Sequence, residues 1–218
     1  VGSEMCIRDR GSTGLPPRET VAQSLENRLN AMRLAGDPLD VITFSGNGEP
    51  TLHPEFPEII EDTLRLRDKY YPQAKVSVLT NATRIFDPAT AEALKRVDNN
   101  ILKLDSAVED TMRLIDRPAS KDFTVERVVE SLCQFGGTGI IQTMLLRGEH
   151  CGRRIDNTTQ EEIDALVDAY RRIRPKEVMI YSIDRSTPEE NLVKVGKEEL
   201  DRIASVIREA GIKVQGYE

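Results

Sequence analysis

Cysteine is scarce and scattered: the 218 residues hold three, Cys6, Cys133 and Cys151. An odd number at such wide spacing excludes a disulfide framework and fits a reducing compartment. No apolar run approaches the roughly 18 residues that a membrane helix requires. Val1 to Arg10 carries no apolar stretch of a secretory signal either. A cytoplasmic location is therefore expected and a membrane partner is not. Basic charge is not in excess. Thirty Lys and Arg stand against 37 Asp and Glu, a formal net charge of −7. With the signs interspersed, that balance argues against a nucleic-acid partner, which asks for a basic face.

What remains is ordinary for a soluble globular protein, with 39% hydrophobic and 31% charged residues. The length suffices for one α/β domain with a substantial core. Residues 1–10, Val-Gly-Ser-Glu-Met-Cys-Ile-Arg-Asp-Arg, have no periodicity and resemble translated adaptor sequence. They are read as an artefactual N-terminus and residues 11–218 as the domain. On that reading, native sequence is missing upstream.

From Pro17 onward amphipathic helices alternate with short apolar strands. Helices are expected at Arg18–Ala35, ended by Gly36, and at Pro57–Lys69, Pro88–Val97, Glu109–Ile115, Thr124–Phe135, Thr159–Ile173 and Lys197–Ala210. Thr159 with Glu162 reads as a capping box. Strands are expected at Val41–Ser45, Lys75–Thr80, Ile101–Asp105, Gly139–Leu146, Glu177–Ile183 and Ile212–Gln215. Strands recurring every roughly 25–40 residues with helical crossovers build a parallel sheet. An open doubly wound sheet and a (β/α) barrel both satisfy that rhythm, and both gather chemistry at the C-terminal strand ends.

The sharpest feature is Ile42 to Pro54, an apolar strand running into Gly46-Asn47-Gly48-Glu49-Pro50-Thr51-Leu52-His53-Pro54. Glycines permit close backbone approach to a ligand. Pro50 holds Glu49 extended and aims its carbonyl and carboxylate at one spot, which suits an ammonium group. A tight turn with a solvated acid explains the same residues. Thr80-Asn81 at the next strand end reads equally as a turn or cap. Lys103 and Asp105 share a strand face, as Gln142 and Met144 do. For the first pair the competing reading is a structural ion pair, and for Met144 it is core packing.

The Gly46–Pro54 peptide resembles the Gly-Gly-Glu-Pro motif of the radical S-adenosylmethionine (SAM) superfamily, with Asn47 replacing the usual second glycine. Leu79-Thr80-Asn81-Ala82 is similar to the turn after the third strand of its molybdenum-cofactor-biosynthesis and wyosine-like members. The resemblance covers Thr13 to Gln215. It implies a partial (β/α)6 TIM-like barrel that lacks its first strand and cluster loop. It also implies that Gly46, Asn47, Gly48, Glu49 and Pro50 hold the amino group of SAM. Thr80 and Asn81 would lie near its methionine moiety, Lys103 at its carboxylate and Asp105 at the ribose. Gln142 and Met144 would lie near adenine and ribose, and the backbone of the Val178–Arg185 segment would meet adenine. Tyr181 or Arg185 would reach substrate, though a capped strand end with a surface ion pair explains those two as easily.

The implied cofactors are SAM and a [4Fe–4S] cluster, with an electron donor such as flavodoxin or ferredoxin as partner. The implied reaction is reductive cleavage of SAM to a 5′-deoxyadenosyl radical that takes hydrogen from a substrate. Cluster binding asks for Cys-x3-Cys-x2-Cys, a spacing the three cysteines do not have. The chain as written is therefore expected to be inactive, with Cys133 expected in the core. His53 and His150 with Glu49 and Asp105 are zinc-donor types, but neither histidine has a partner at ligand spacing. Two alternatives stand beside this reading: another nucleotide-binding α/β barrel enzyme, or a non-functional truncated fragment.

Overall fold

The computed structural model describes residues 14–45, 48–118, 120–150, 152–183 and 191–217. Val1–Arg10, and with it Cys6, lie outside these residues, as do Gly46, Asn47, Cys151 and Arg185. The chain divides into two compact units, one running to Ile101 and the other from Leu102.

In the N-terminal unit, helix α1 (Arg18–Ala35) has its expected bounds. It stops because Gly36 turns left-handed, at φ 76°, and hands its N–H to Arg33 O at 3.2 Å. Strand β1 (Val41–Phe44), a 3-10 turn (Pro50–Leu52), helix α2 (Phe56–Tyr70), strand β2 (Lys75–Thr80) and helix α3 (Pro88–Arg96) follow. The crossover through α2 makes β1 and β2 parallel, with Val41 opposite Lys75 and Phe44 opposite Val78. Ile60, Leu66, Val76, Val78 and Leu94 are fully buried and form the core of this unit. Each such side chain contributes about 1.5–3 kcal/mol. β1 is less covered: among the described residues only β2 pairs with it, and Val41 is 42% exposed.

Strand β3 (Asn99–Lys103) straddles the unit boundary. It begins two residues before the expected strand, because Asn99 and Asn100 hide its start in the apolar pattern. It also ends before Asp105.

The C-terminal unit continues with α4 (Glu109–Asp116), α5 (Val125–Leu132), a 3-10 turn (Cys133–Phe135), β4 (Ile140–His150) and β5 (Arg153–Asp156). Then come α6 (Gln160–Ile173), β6 (Glu177–Ser182), β7 (Leu192–Lys194), α7 (Lys197–Glu209) and β8 (Val214–Tyr217). β4, β6 and β8 are parallel neighbours, with Ile140 opposite Glu177 and Val178 opposite Val214. Their helix-facing side packs Ile141, Leu145, Val178 and Ile180 into the core.

Three sequence expectations need correction here. β4 does not stop at Leu146 but runs on to His150, flanked antiparallel by β5 (Arg147 opposite Asp156) and β7 (Leu146 opposite Lys194). Arg153–Asp156 is too charged, and Leu192–Lys194 too short, to read as a strand. Cys133 is exposed rather than core. Helix α5 ends at Leu132 and passes into a 3-10 turn; Cys133 keeps helical geometry, its N–H reaching Val129 O, and its thiol donates to Arg172 O at 3.6 Å. Half of the capping box is present, Thr159 Oγ1 accepting from the Glu162 N–H at 3.3 Å. The Glu162 carboxylate turns to Ser106 Oγ at 2.7 Å. Among the described residues no helix is long and apolar enough to cross a membrane.

Candidate functional site

At the C-terminal end of β1 the chain narrows into Gly48-Glu49-Pro50. Glu49 is extended, at φ −103° and ψ 111°, as the following proline requires. Its carbonyl oxygen accepts from the Leu52 N–H at 3.1 Å, closing the 3-10 turn. Its carboxylate folds back into the protein. Oε1 accepts from the Thr51 N–H (3.1 Å), the Thr51 hydroxyl (2.5 Å) and the Thr80 hydroxyl (2.6 Å). Oε2 accepts from the Asn81 N–H at 2.6 Å. The carbonyl and carboxylate that the sequence aims at a single ligand are thus engaged first with the protein's own donors.

The β2 end is shaped to meet this acid. Thr80 Oγ1 accepts from the Ala82 N–H at 3.2 Å while donating to Glu49. The Asn81 side-chain oxygen accepts from the Thr83 N–H (3.0 Å) and hydroxyl (2.7 Å). Ala82 is wholly buried at φ 62°, a left-handed conformation costly for a residue with a Cβ.

Beside Glu49 opens a cleft of about 420 Å³, with Leu15, Pro16, Phe44, His53 and Phe56 among its walls. Both nitrogens of His53 are used. Nδ1 accepts from the Glu55 N–H at 3.1 Å, so the proton sits on Nε2, which donates to Pro16 O at 2.9 Å. His53 thereby fastens the segment before α1 to the start of α2, consistent with a role at the helix entrance.

In the C-terminal unit, Lys103 and Asp105 do share a face. Lys103 Nζ lies 2.8 Å from Asp105 Oδ2 and 3.3 Å from Asp116 Oδ1. Asp105 is fully buried, and its Oδ1 accepts from the Met144 N–H at 2.9 Å. Burial alone would lower the Lys103 pKa, but Asp105 and Asp116 hold it above the usual lysine range. Burial pushes Asp116 up to about 6 against the pull of Lys103. It also raises the Tyr181 phenol, with Asp105 adding to the effect.

Met144 is 6% exposed and sits in an apolar cluster with Ile115, Leu146 and Ile155, Tyr181 packing against it. Gln142 is half-buried on β4, opposite Met179 of β6, and its carbonyl accepts from the Leu104 N–H at 3.0 Å. Sequence reasoning missed Thr51, Asp116 and Asn157. Thr51 was recoverable, because a threonine two residues after an acid can return its hydroxyl and N–H to that acid. Nothing local marks Asp116 or Asn157.

Comparison with known proteins identifies a family. The family model described as "Radical SAM superfamily" matches residues 4–150. The "UPF0026 protein" of Helicobacter pylori strain J99 is 26% identical over 171 residues, covering 77% of this chain and 50% of the relative. A UPF0026 protein of Synechocystis is 32% identical over 154 residues, covering 69% of this chain and 52% of the relative. The chain thus spans about half the length of these relatives. A solved structure of a radical SAM methyltransferase from Sphaerobacter thermophilus superposes with a TM-score of 0.72 at 18% identity, over 100% of this chain and 62% of that one. That likeness places the α/β parallel-sheet fold among partial TIM barrels, with β1 and β8 each having a single strand neighbour among the described residues. With two strand-end loops of the motif's composition joined through Glu49 and a family model matched over most of its length, the chain belongs to the radical SAM superfamily.

Proposed function

We propose that this chain is the SAM-holding part of a radical SAM enzyme, and that the loop at Gly48-Glu49-Pro50 takes the amino-acid head group of SAM. The observation that carries the reading is the Glu49 carboxylate bonded to both Thr80 and Asn81 beside the 420 Å³ cleft. This arrangement preorganises the loop before any ligand arrives, so little ordering remains to oppose binding. Gly46 and Asn47 belong to the same proposed loop. Thr80 and Asn81 set its position; Lys103 is proposed for the carboxylate of the ligand, Asp105 for the ribose, and Gln142 and Met144 for the adenosine.

The reaction proposed for the intact protein is reductive cleavage of SAM to methionine and a 5′-deoxyadenosyl radical, then hydrogen abstraction from a substrate. A [4Fe–4S] cluster supplies the electron in such enzymes, passed on by a flavodoxin- or ferredoxin-like donor. The residues described do not fit that cluster. Cys133 is exposed, and no three His, Cys, Asp or Glu side chains among the described residues converge as a metal set. The chain as it stands is therefore proposed to bind SAM without cleaving it.

Equilibrium dialysis of the purified chain against radiolabelled SAM, with ATP and NAD as competitors, tests the reading. Saturable binding that neither competitor displaces is the expected result. Tighter binding of another nucleotide would favour a different nucleotide-binding barrel, and a chain that only aggregates would favour a dead fragment.

A further inference from the structure

Thr51 lies within the motif peptide but has no role assigned by the resemblance, yet it makes the densest contact with the acid. It is 2% exposed, and both its N–H and its hydroxyl point at Glu49 Oε1. We propose that Thr51 is a positioning residue that acts through Glu49: it holds the carboxylate in the rotamer that ties the β1 end to the β2 end. This rests on the reading of the loop as a SAM head-group site.

The acceptor count supports it. A carboxylate offers about four lone-pair directions. Three donors converge on Oε1 and one on Oε2, so at most one direction of Oε2 is left for a ligand. An ammonium group needs several acceptors, so most must come from the loop backbone. The placement of that backbone then depends on Glu49 being pinned from both sides, by Thr51 within the loop and by Thr80 and Asn81 across from it.

The hydroxyl of Thr51 has one proton, and Glu49 receives it at 2.5 Å, in the range of a charge-assisted bond. Removing that bond leaves Oε1 held by the backbone N–H of residue 51 and the Thr80 hydroxyl alone, and slackens the grip on Asn81. The cost falls on the part of the ligand that the loop holds, its amino-acid end. The adenosine end has no reason to respond.

The test compares Thr51→Val, which keeps the shape and loses the hydroxyl, with Thr51→Ser, which keeps the hydroxyl. Three readouts are taken on the 218-residue chain: SAM affinity by dialysis, affinity for 5′-methylthioadenosine, which lacks the amino-acid moiety, and amide exchange at Asn81. Thr51→Val is expected to weaken SAM by about tenfold, the worth of one hydrogen bond to a charged group. It should leave methylthioadenosine within twofold and speed exchange at Asn81, while Thr51→Ser restores wild-type values. Equal weakening of both ligands, or unchanged SAM affinity despite faster exchange, would overturn the positioning role while leaving the SAM reading intact. Wild-type chain that binds methylthioadenosine but not SAM would remove the head-group reading itself, and the role of Thr51 with it.

Discussion

The Asn157 side-chain amide donates to the carbonyl oxygen of Asp105 at 2.8 Å, across 52 residues of chain. The same nitrogen donates to Met144 O at 2.7 Å, and Asn157 Oδ1 accepts from the Leu146 N–H at 2.8 Å. One wholly buried side chain thus fixes the loop after β3 against β4, and every polar atom it carries is satisfied.

Replacing that amide is expected to cost more than the loss of packing. Asn157→Leu leaves three buried backbone groups without partners, at about 1–3 kcal/mol each before relaxation or water entry. A net loss of about 3 kcal/mol should appear as a lower urea midpoint with unchanged slope. Asn157→Asp should be at least as damaging, because a carboxylate would face two carbonyl oxygens.

Tyr170 and Thr143 form a second buried relay. The Thr143 hydroxyl donates to Leu104 O at 2.7 Å, so the Tyr170 hydroxyl, 2.6 Å away, must donate to Thr143. Burial raises the phenol's pKa, the bond to Thr143 opposing it only in part, and the group stays protonated. Tyr170→Phe should lower stability by about 1–2 kcal/mol, whereas the double change with Thr143→Val should cost less than the sum of the singles. A double-mutant cycle in urea checks this.

Asp116 makes a pH prediction whose sign follows from its raised value. Folded, it titrates at about 6; unfolded, near the ordinary aspartate value of 3.8. Between those values the folded state retains a proton that the unfolded chain has released. The contribution of this group to stability is therefore full below about pH 4, falls as the pH rises to about 6, and is flat above. Asp116→Asn should remove that slope. Its stability relative to wild type should rise from pH 4 to pH 7 in parallel urea titrations, and a constant difference would refute the burial of a titrating carboxyl here.

Gly148 is expected to tolerate no side chain. Its φ is 143°, and an added Cβ would overlap the Asn191 carbonyl oxygen and stand 2.8 Å from Leu192 Cα, where β7 crosses β4. Gly148→Ala should cost about 2–4 kcal/mol from backbone strain and overpacking. Proteolysis concentrated near Leu192 would show that the damage is local.

Much of the architecture was legible in the amino-acid order, because periodicity and caps are local. Arg18–Ala35 and its Gly36 stop, Lys75–Thr80 and the Thr159 cap all depend on residues within a turn or two of one another. β5 and β7 were not legible. Arg153–Asp156 and Leu192–Lys194 have no pattern of their own and exist because β4 overruns the parallel strands and offers two edges. Cys133 misled because apolar neighbours in sequence do not fix exposure: Val128, Val129 and Leu132 are buried, while Cys133 at the helix C-cap is exposed.

The candidate site divides the same way. Its composition and the extended backbone of Glu49 follow from the order Gly-Glu-Pro, since the proline ring disfavours helical geometry for the residue before it. By itself the sequence determined the element rhythm, the loop that carries the acid and the family. Only the tertiary structure decided where that acid points, which residues share Lys103 and what Asn157 joins, because a hydrogen bond depends on distance and direction in space, and residues 31 or 52 positions apart have none until the chain folds.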